Sequence, residues 1–360
     1  MNLKGNKGEL SELYAFFHLL SEGKIYSADE NLKKTKDFVE VLSINRIEKK
    51  KELNFEIRNG NITIIESLTG KKVLTFKRSD SKLLATQILF DINNHTRLQV
   101  NTQTQIINKH ITRVKQKSTK KGDIEIRIYD PVHGISSDQE FSIKSFLGSD
   151  PTLFNANKTT NIIYRLTDSK NSPLSKNEIN RINSITTGHK YIKRIKKLID
   201  TGHNIQFHSY EDKTFKLNLQ IIDSDLPKII AEVVLSKYRN KITKIKDVVQ
   251  FLHRTNPMNY DLSEGHKFYE YRIVNFLVEA ALGMTSKTAW SGEYQVIGGI
   301  IIIKPDAETL CYHLIDFNKF KGYLKSTSRL DNPSGSKMGY GSLYEENGDS
   351  FIKLNFQIKA

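Results

Sequence analysis

The sequence predicts an α/β protein: a mixed β-sheet flanked by helices, with an added α+β region towards the C-terminus. Three observations lead there. Short alternating strand patterns occur both early and late in the chain, amphipathic helical patterns lie between them, and clusters of Gly, Pro, Asn and Ser punctuate the boundaries. At 360 residues the chain is long enough for two domains. A soft boundary near residue 240 separates an expected core at 1–240 from a C-terminal region at 241–360.

Taken in order, Glu9–Leu20 has Leu10, Leu13, Tyr14, Phe17 and Leu20 at helical spacing. Residues 38–76 are extended, with a hairpin turning at Asn59-Gly60. A helix over Ser81–Asn93 precedes a polar, basic segment reaching Lys121. Two alternating strands follow, Asp123–Ile128 and Glu140–Ser145, around a turn holding Pro131 and Gly134. Ile124, Ile126 and Ile128 share one face, which leaves Asp123 and Glu125 on the other; Ser142 and Lys144 are the polar parity of the second strand. Basic helical sequence spans Lys176–Ile199, and further helices are expected over Leu226–Lys237, Lys244–His253 and Gly265–Leu282. Strands return at Gly298–Ile303, Leu310–Ile315 and Ser350–Ile358, with a polar loop at Asp331–Lys337 among them.

Composition narrows the function. The 55 Lys and Arg against 40 Asp and Glu leave a net charge of +15, which suits a polyanionic partner, nucleic acid first and an anionic membrane surface second. A single cysteine, Cys311, excludes an intrachain disulfide and a cysteine zinc site and fits a reducing cytoplasm. The N-terminus lacks a signal-peptide core, and no apolar run approaches membrane-spanning length. Nucleotide-binding G-x(4)-G-K-[ST] and zinc H-E-x-x-H patterns are absent. Asn93-Asn94-His95 supplies at most half of an HNH nuclease site.

Hydrolysing a phosphodiester near neutral pH demands an activated water and neutralisation of the phosphorane. Mg²⁺ does much of this through hard oxygen ligands, usually one or two carboxylates with waters. A lysine beside it stabilises negative charge in the transition state. Asp123 and Lys144, on neighbouring strands and expected on a solvent face, meet that demand. The pair resembles the PD-(D/E)XK nuclease motif, although Gly122 stands where the motif has proline and Ser142 where it has an acid. A second carboxylate must then come from elsewhere: Glu12 first, then Glu9, with Glu125 and Glu140 also of suitable parity.

The wider sequence is similar to HpaII-type restriction endonucleases. The similarity lies in Lys4–Glu12, Phe141–Ser145, Pro151–Asn161, Gly298–Ile300, Cys311–His313 and Lys353–Ile358, and so covers essentially the whole chain. It implies a restriction-endonuclease-like core and a prokaryotic, cytoplasmic type II enzyme. It also implies Mg²⁺ chemistry on double-stranded DNA, a 5′-phosphate product, a CCGG-like target and a companion DNA methyltransferase. A palindromic target would favour a homodimer; monomeric nicking of each strand in turn is the alternative.

The expected DNA contacts are Ser142 and Ser145 beside Lys144, then Asn155, Asn157, Lys158, Thr159 and Asn161, and finally Arg329, Ser336 and Lys337 in the polar C-terminal stretch. The lysines between Lys190 and Lys197 suit phosphates. Each has an ordinary alternative. Acidic residues early in a helix complement its dipole, small polar residues cap helices, and lysines solvate surfaces. Charge alone would equally fit a non-catalytic DNA-binding protein or a nuclease of RNA or single strands. No helix-turn-helix with a basic recognition helix is visible to support the former.

Overall fold

The computed structural model describes residues 5–94, 110, 111, 114, 122–294 and 296–360, apart from the side chain of Ser336. The basic segment read up to Lys121, with His95, therefore lies almost wholly outside the described residues.

The chain opens with helix α1 (Lys7–Glu22), strands β1 (Lys24–Ala28), β2 (Lys34–Glu48), β3 (Lys51–Arg58), β4 (Asn61–Glu66) and β5 (Lys72–Lys77), and helix α2 (Arg78–Asn94). The hairpin β6 (Ile124–Asp130) and β7 (Ile135–Ser145) follows, then β8 (Thr152–Phe154), β9 (Asn161–Thr167) and β10 (Asn204–Tyr210). Strands β11 (Gly299–Ile303), β12 (Thr309–His313), β13 (Arg329–Leu330), β14 (Leu343–Glu346), β15 (Asp349–Asn355) and β16 (Ile358–Lys359) complete the set.

Contacts divide the chain into two compact units, residues 1–151 with 294–323 and residues 152–293 with 324–360. This division does not follow the linear boundary expected near residue 240. Both units are discontinuous, because the segment bearing β11 and β12 returns to the first sheet.

The first unit holds a nine-stranded sheet ordered β1-β12-β11-β7-β6-β2-β3-β4-β5. It is mixed: β1–β12 and β11–β7 run parallel and the remaining pairs antiparallel. Long β2 pairs with β1 through its first half as well as with β6 and β3, so six of the strands form a closed circuit. Helices α1 and α2 cover one face. Leu13, Phe17 and Leu20 of α1 and Leu84 and Ile88 of α2 join Ile124, Ile126, Ile128 and Phe141 in one core. Each buried isoleucine contributes about 2 kcal/mol. A one-residue slip of β6 or β7 would turn that face to water, and this locks the register that places Asp123 and Lys144.

The second unit has a four-stranded antiparallel sheet, β10-β9-β15-β14, and a small sheet, β13-β16-β8. Helices at Lys176–Asn183, Lys190–Asp200, Lys213–Ile222, Leu226–Asn240, Ile245–Thr255 and Phe268–Ala281 accompany them. Phe154, Phe215, Phe276 and Phe356 meet in its centre. The single basic helix expected over Lys176–Ile199 is in fact two. The break falls at Thr186–His189, where His189 takes a left-handed conformation. The helices Lys213–Ile222 and Phe317–Thr327 and strand β1 had not been anticipated. No helix among the described residues is long and apolar enough to cross a membrane.

Candidate active site

The site grows out of the β6–β7 hairpin. Its register pairs Ile124 with Phe141 and Glu125 with Glu140, and the Asp123 amide continues the ladder by donating to the Phe141 carbonyl at 2.9 Å. Asp123 is thereby set beside Ser142. The Ser142 hydroxyl donates to Asp123 Oδ2 at 3.0 Å, and the Ile143 amide donates to the same oxygen at 2.7 Å. Two donors on one oxygen fix the carboxylate plane. Ser142, where the motif has an acid, therefore serves here as an orienting donor; an acid at that position would repel Asp123.

Lys144 was expected on a solvent face and is half-buried in the structure. Strand β7 lies inside the sheet between β6 and β11, with Lys144 in register with Ile302. Burial draws the Lys144 ammonium below the ordinary lysine range, while Asp123 and Glu12 draw it back up. Two carboxylates and one desolvated cation thus share a small region at the end of β7. Glu12 reaches it because it lies one helical turn inside α1.

Glu9 does not play that part. Its carboxylate accepts from the Asn6 amide at 2.9 Å while Asn6 Oδ1 accepts from the Glu9 amide at 3.0 Å, a capping box that starts α1. Glu125 accepts from Asn45 at 3.3 Å. Glu140 packs over Gly122, where an added Cβ would stand 2.9 Å from the Glu140 Cβ. The residue in the place of the motif's proline is therefore kept small by its neighbour.

The glycines of Gly298-Gly299 belong to the support of the site, a role that sequence reasoning missed. Gly299 has φ +114°, and a Cβ there would lie 2.0 Å from the Tyr312 carbonyl oxygen. Its tight approach lets β11 pair with Cys311–His313 on one side and with β7 on the other. The pairing of two glycines with a downstream Cys-Tyr-His was the available signal.

Several expected DNA contacts are engaged in hydrogen bonds within the second unit. Asn161 is buried, donating to Glu211 and to the Met338 carbonyl and accepting from Asn355. Asn157 caps the 3₁₀ turn Lys158–Thr160 and donates to Ser286, and Thr159 also donates to Ser286. Packing within the second unit accounts for all three. Asn155 and Lys158 remain exposed. Ser145 is half-buried and accepts from the Leu147 amide. Arg329 pairs with Asp331 at 3.8 Å, and Lys337 is exposed.

Comparison with known proteins identifies the family. The family model for the HpaII restriction endonuclease matches residues 6–360. The type II restriction enzyme HpaII of Haemophilus parainfluenzae is 37% identical over 359 residues, which cover 99% of this chain and 98% of that enzyme. No solved structure matches the chain significantly. The chain belongs to the HpaII restriction endonuclease family, type II site-specific deoxyribonucleases.

Proposed function

We propose that the chain hydrolyses double-stranded DNA at a short specific site with Mg²⁺, through a PD-(D/E)XK-type arrangement, and leaves 5′-phosphates. The observation that carries this is the convergence of Asp123, Glu12 and a desolvated Lys144 at one end of the β6–β7 hairpin. The donors fit a hard cation: both are carboxylates, and Asp123 is held in one orientation by Ser142 and Ile143. Among the described residues no group of three or more His, Cys, Asp or Glu side chains gathers to hold a metal. Mg²⁺ keeps several waters and takes one or two protein carboxylates, a number that Asp123 and Glu12 would supply. When bound, Mg²⁺ lowers the pKa of water and offsets phosphate charge.

The chain's own residues supply orientation and charge. Asp123 and Glu12 present oxygen ligands. Lys144 would donate towards the phosphate oxygens as negative charge builds. The low-dielectric sheet around Lys144 makes that ammonium worth more than one in water. The first unit would carry the chemistry, and much of the second would carry recognition. CCGG is the target to test first. The reading also includes a prokaryotic cytoplasmic enzyme, a companion methyltransferase, and a homodimer if the target is palindromic.

Digestion of plasmid DNA with and without Mg²⁺, followed by sequencing of the ends, tests this. The expected result is Mg²⁺-dependent fragments that end at one short motif with 5′-phosphates. Intact plasmid from a folded chain that still binds DNA would leave a non-catalytic binder. Degradation confined to RNA or single strands would overturn the choice of substrate.

A further inference from the structure

The segment Asp331–Gly341 in the second unit looks in sequence like a plain polar connector. Surface connectors ordinarily leave their carbonyls to water. Here four of them are held by side chains, three from the body of the unit and one from the loop itself. Lys237, on the helix Leu226–Asn240, donates its ammonium to the Asp331 carbonyl. Tyr340 donates to the Pro333 carbonyl at 2.9 Å and Asn161 to the Met338 carbonyl at 2.8 Å. Arg194 donates to the Gly341 carbonyl at 2.6 Å, and its other nitrogens bind the carbonyls of Asn183 and Ile185. Lys237, Asn161 and Arg194 are all buried. Buried Lys and Arg side chains are uncommon in a protein interior, and both of these hold this loop.

A second feature ties the loop to the basic helix. The Tyr191 ring packs against Tyr340 in a tilted arrangement, centroids 4.6 Å apart, and is wedged against the loop backbone. A Cβ on Gly335 would fall 1.6 Å from the Tyr191 hydroxyl, and one on Gly341 would fall 2.0 Å from its ring. Tyr191 opens the helix Lys190–Asp200, whose buried side presents Arg194, Ile195 and Leu198 and whose outer side exposes Lys193, Lys196 and Lys197. Asn332, Ser334 and Lys337 are exposed in the loop.

We propose that Asp331–Gly341 is a preorganised DNA-reading loop in which Lys337 and Asn332 contact base edges. In the same proposal Lys193, Lys196 and Lys197 hold the adjoining phosphates, and Tyr191 is the positioning residue that keys one set to the other. It rests on the reading of the chain as a site-specific DNA enzyme. Lysine donating to the guanine O6 and N7 acceptors is a common specific contact, whereas lysines on a helix face contribute sequence-independent affinity through counterion release. Fixing the loop before DNA arrives avoids the cost of ordering it on binding.

Binding is measured without divalent metal, on a duplex carrying the sequence found at the plasmid ends and on a scrambled duplex. Lys337→Ala is expected to weaken the first about tenfold or more and the second less than about threefold. Replacing Lys196 and Lys197 with alanine should weaken both duplexes equally and flatten the salt dependence, reducing the log–log slope by about two. Tyr191→Ala should lower the ratio of specific to non-specific affinity, and Tyr191→Phe, which keeps the ring in its seat, should restore it. If Tyr191→Ala does not fold, the exposed Lys337 and Asn332 variants carry the test. Equal loss on both duplexes with Lys337→Ala, no loss on either, or an unchanged ratio with Tyr191→Ala would overturn the proposal. Because no cleavage is scored, failure here is separate from failure of the Asp123–Lys144 site, which would appear as cleavage that survives their replacement.

Discussion

Lys144 and Lys237 are both drawn below the ordinary lysine range by burial, and their surroundings differ. Lys144 in the first unit faces Asp123 and Glu12, so its lost hydration is partly replaced by opposite charge. Lys237 in the second unit donates to a backbone carbonyl. Asp331 draws its pKa up and Arg329 draws it down, and burial prevails, pulling it to about 7. The comparison teaches that a buried lysine alone does not mark a catalytic centre. In the proposed function it is the carboxylates beside it that single out Lys144, because they are also what a divalent cation would bind.

Substitution separates the two. Lys144→Ala should lower the single-turnover cleavage rate about a thousandfold, as loss of a preorganised charge at the phosphorane typically does; Lys237→Met should leave that rate within a few-fold on saturating substrate. Comparable losses from both would erase the distinction. Next in size, Glu12→Gln should cost about a hundredfold in cleavage. Glu9→Gln should cost about 1 kcal/mol or less of stability through the capping box, with cleavage little changed. A reversal would make Glu9 the ligand. Ser142→Ala, which removes one of two donors to Asp123 Oδ2, should lower kcat about tenfold at nearly constant KM, and Ser142→Thr should recover it. A change confined to KM would return Ser142 to the DNA-contacting set.

The smallest expected effect on rate concerns Lys237, and its signature lies in stability against pH. The folded-state value of about 7 is below that of an unfolded lysine. Between about pH 7 and 10 the unfolded chain therefore holds a proton that the folded chain has released. Stability contributed by this group rises with pH across that window, by an order of 4 kcal/mol in all. Below pH 7 the desolvation cost is fully present. Urea unfolding at several pH values should show the rise in the wild type and a flatter profile in Lys237→Met. Identical profiles would place the Lys237 ammonium in contact with water.

Much of the first unit was legible because local pattern and tertiary role coincide there. The hairpin at Asn59-Gly60, the alternation of Ile124, Ile126 and Ile128, and the spacing of Leu10, Leu13 and Phe17 each report one buried face. Asp123 and Lys144 were legible for the same reason, since the parity that buries the isoleucines leaves both on the other face. The half-buried setting of Lys144 was not, because β11 comes from residues 299–303, more than 150 positions downstream. Glu9 and Glu12 look alike in sequence; only the Asn6 hydrogen bonds tell them apart. In the second unit the polar residues Asn157, Thr159 and Asn161 resemble surface donors until Ser286, Met338 and Asn355 arrive to take them up. Helix Phe317–Thr327 hid behind Gly322, where a side chain would press within 3.1 Å of Glu30. Such needs are set by distant partners and leave no local periodicity.

The most direct test of the central claim is Asp123→Asn. Asparagine keeps the shape of the side chain and can still accept from Ser142 and from the Ile143 amide, but it removes the charge a cation would bind. Plasmid cleavage in Mg²⁺ should fall about a thousandfold, while affinity for the site duplex and the midpoint of thermal unfolding stay near wild type. Cleavage within about tenfold of wild type in that variant would contradict the account and send the search for the catalytic carboxylate elsewhere in the chain.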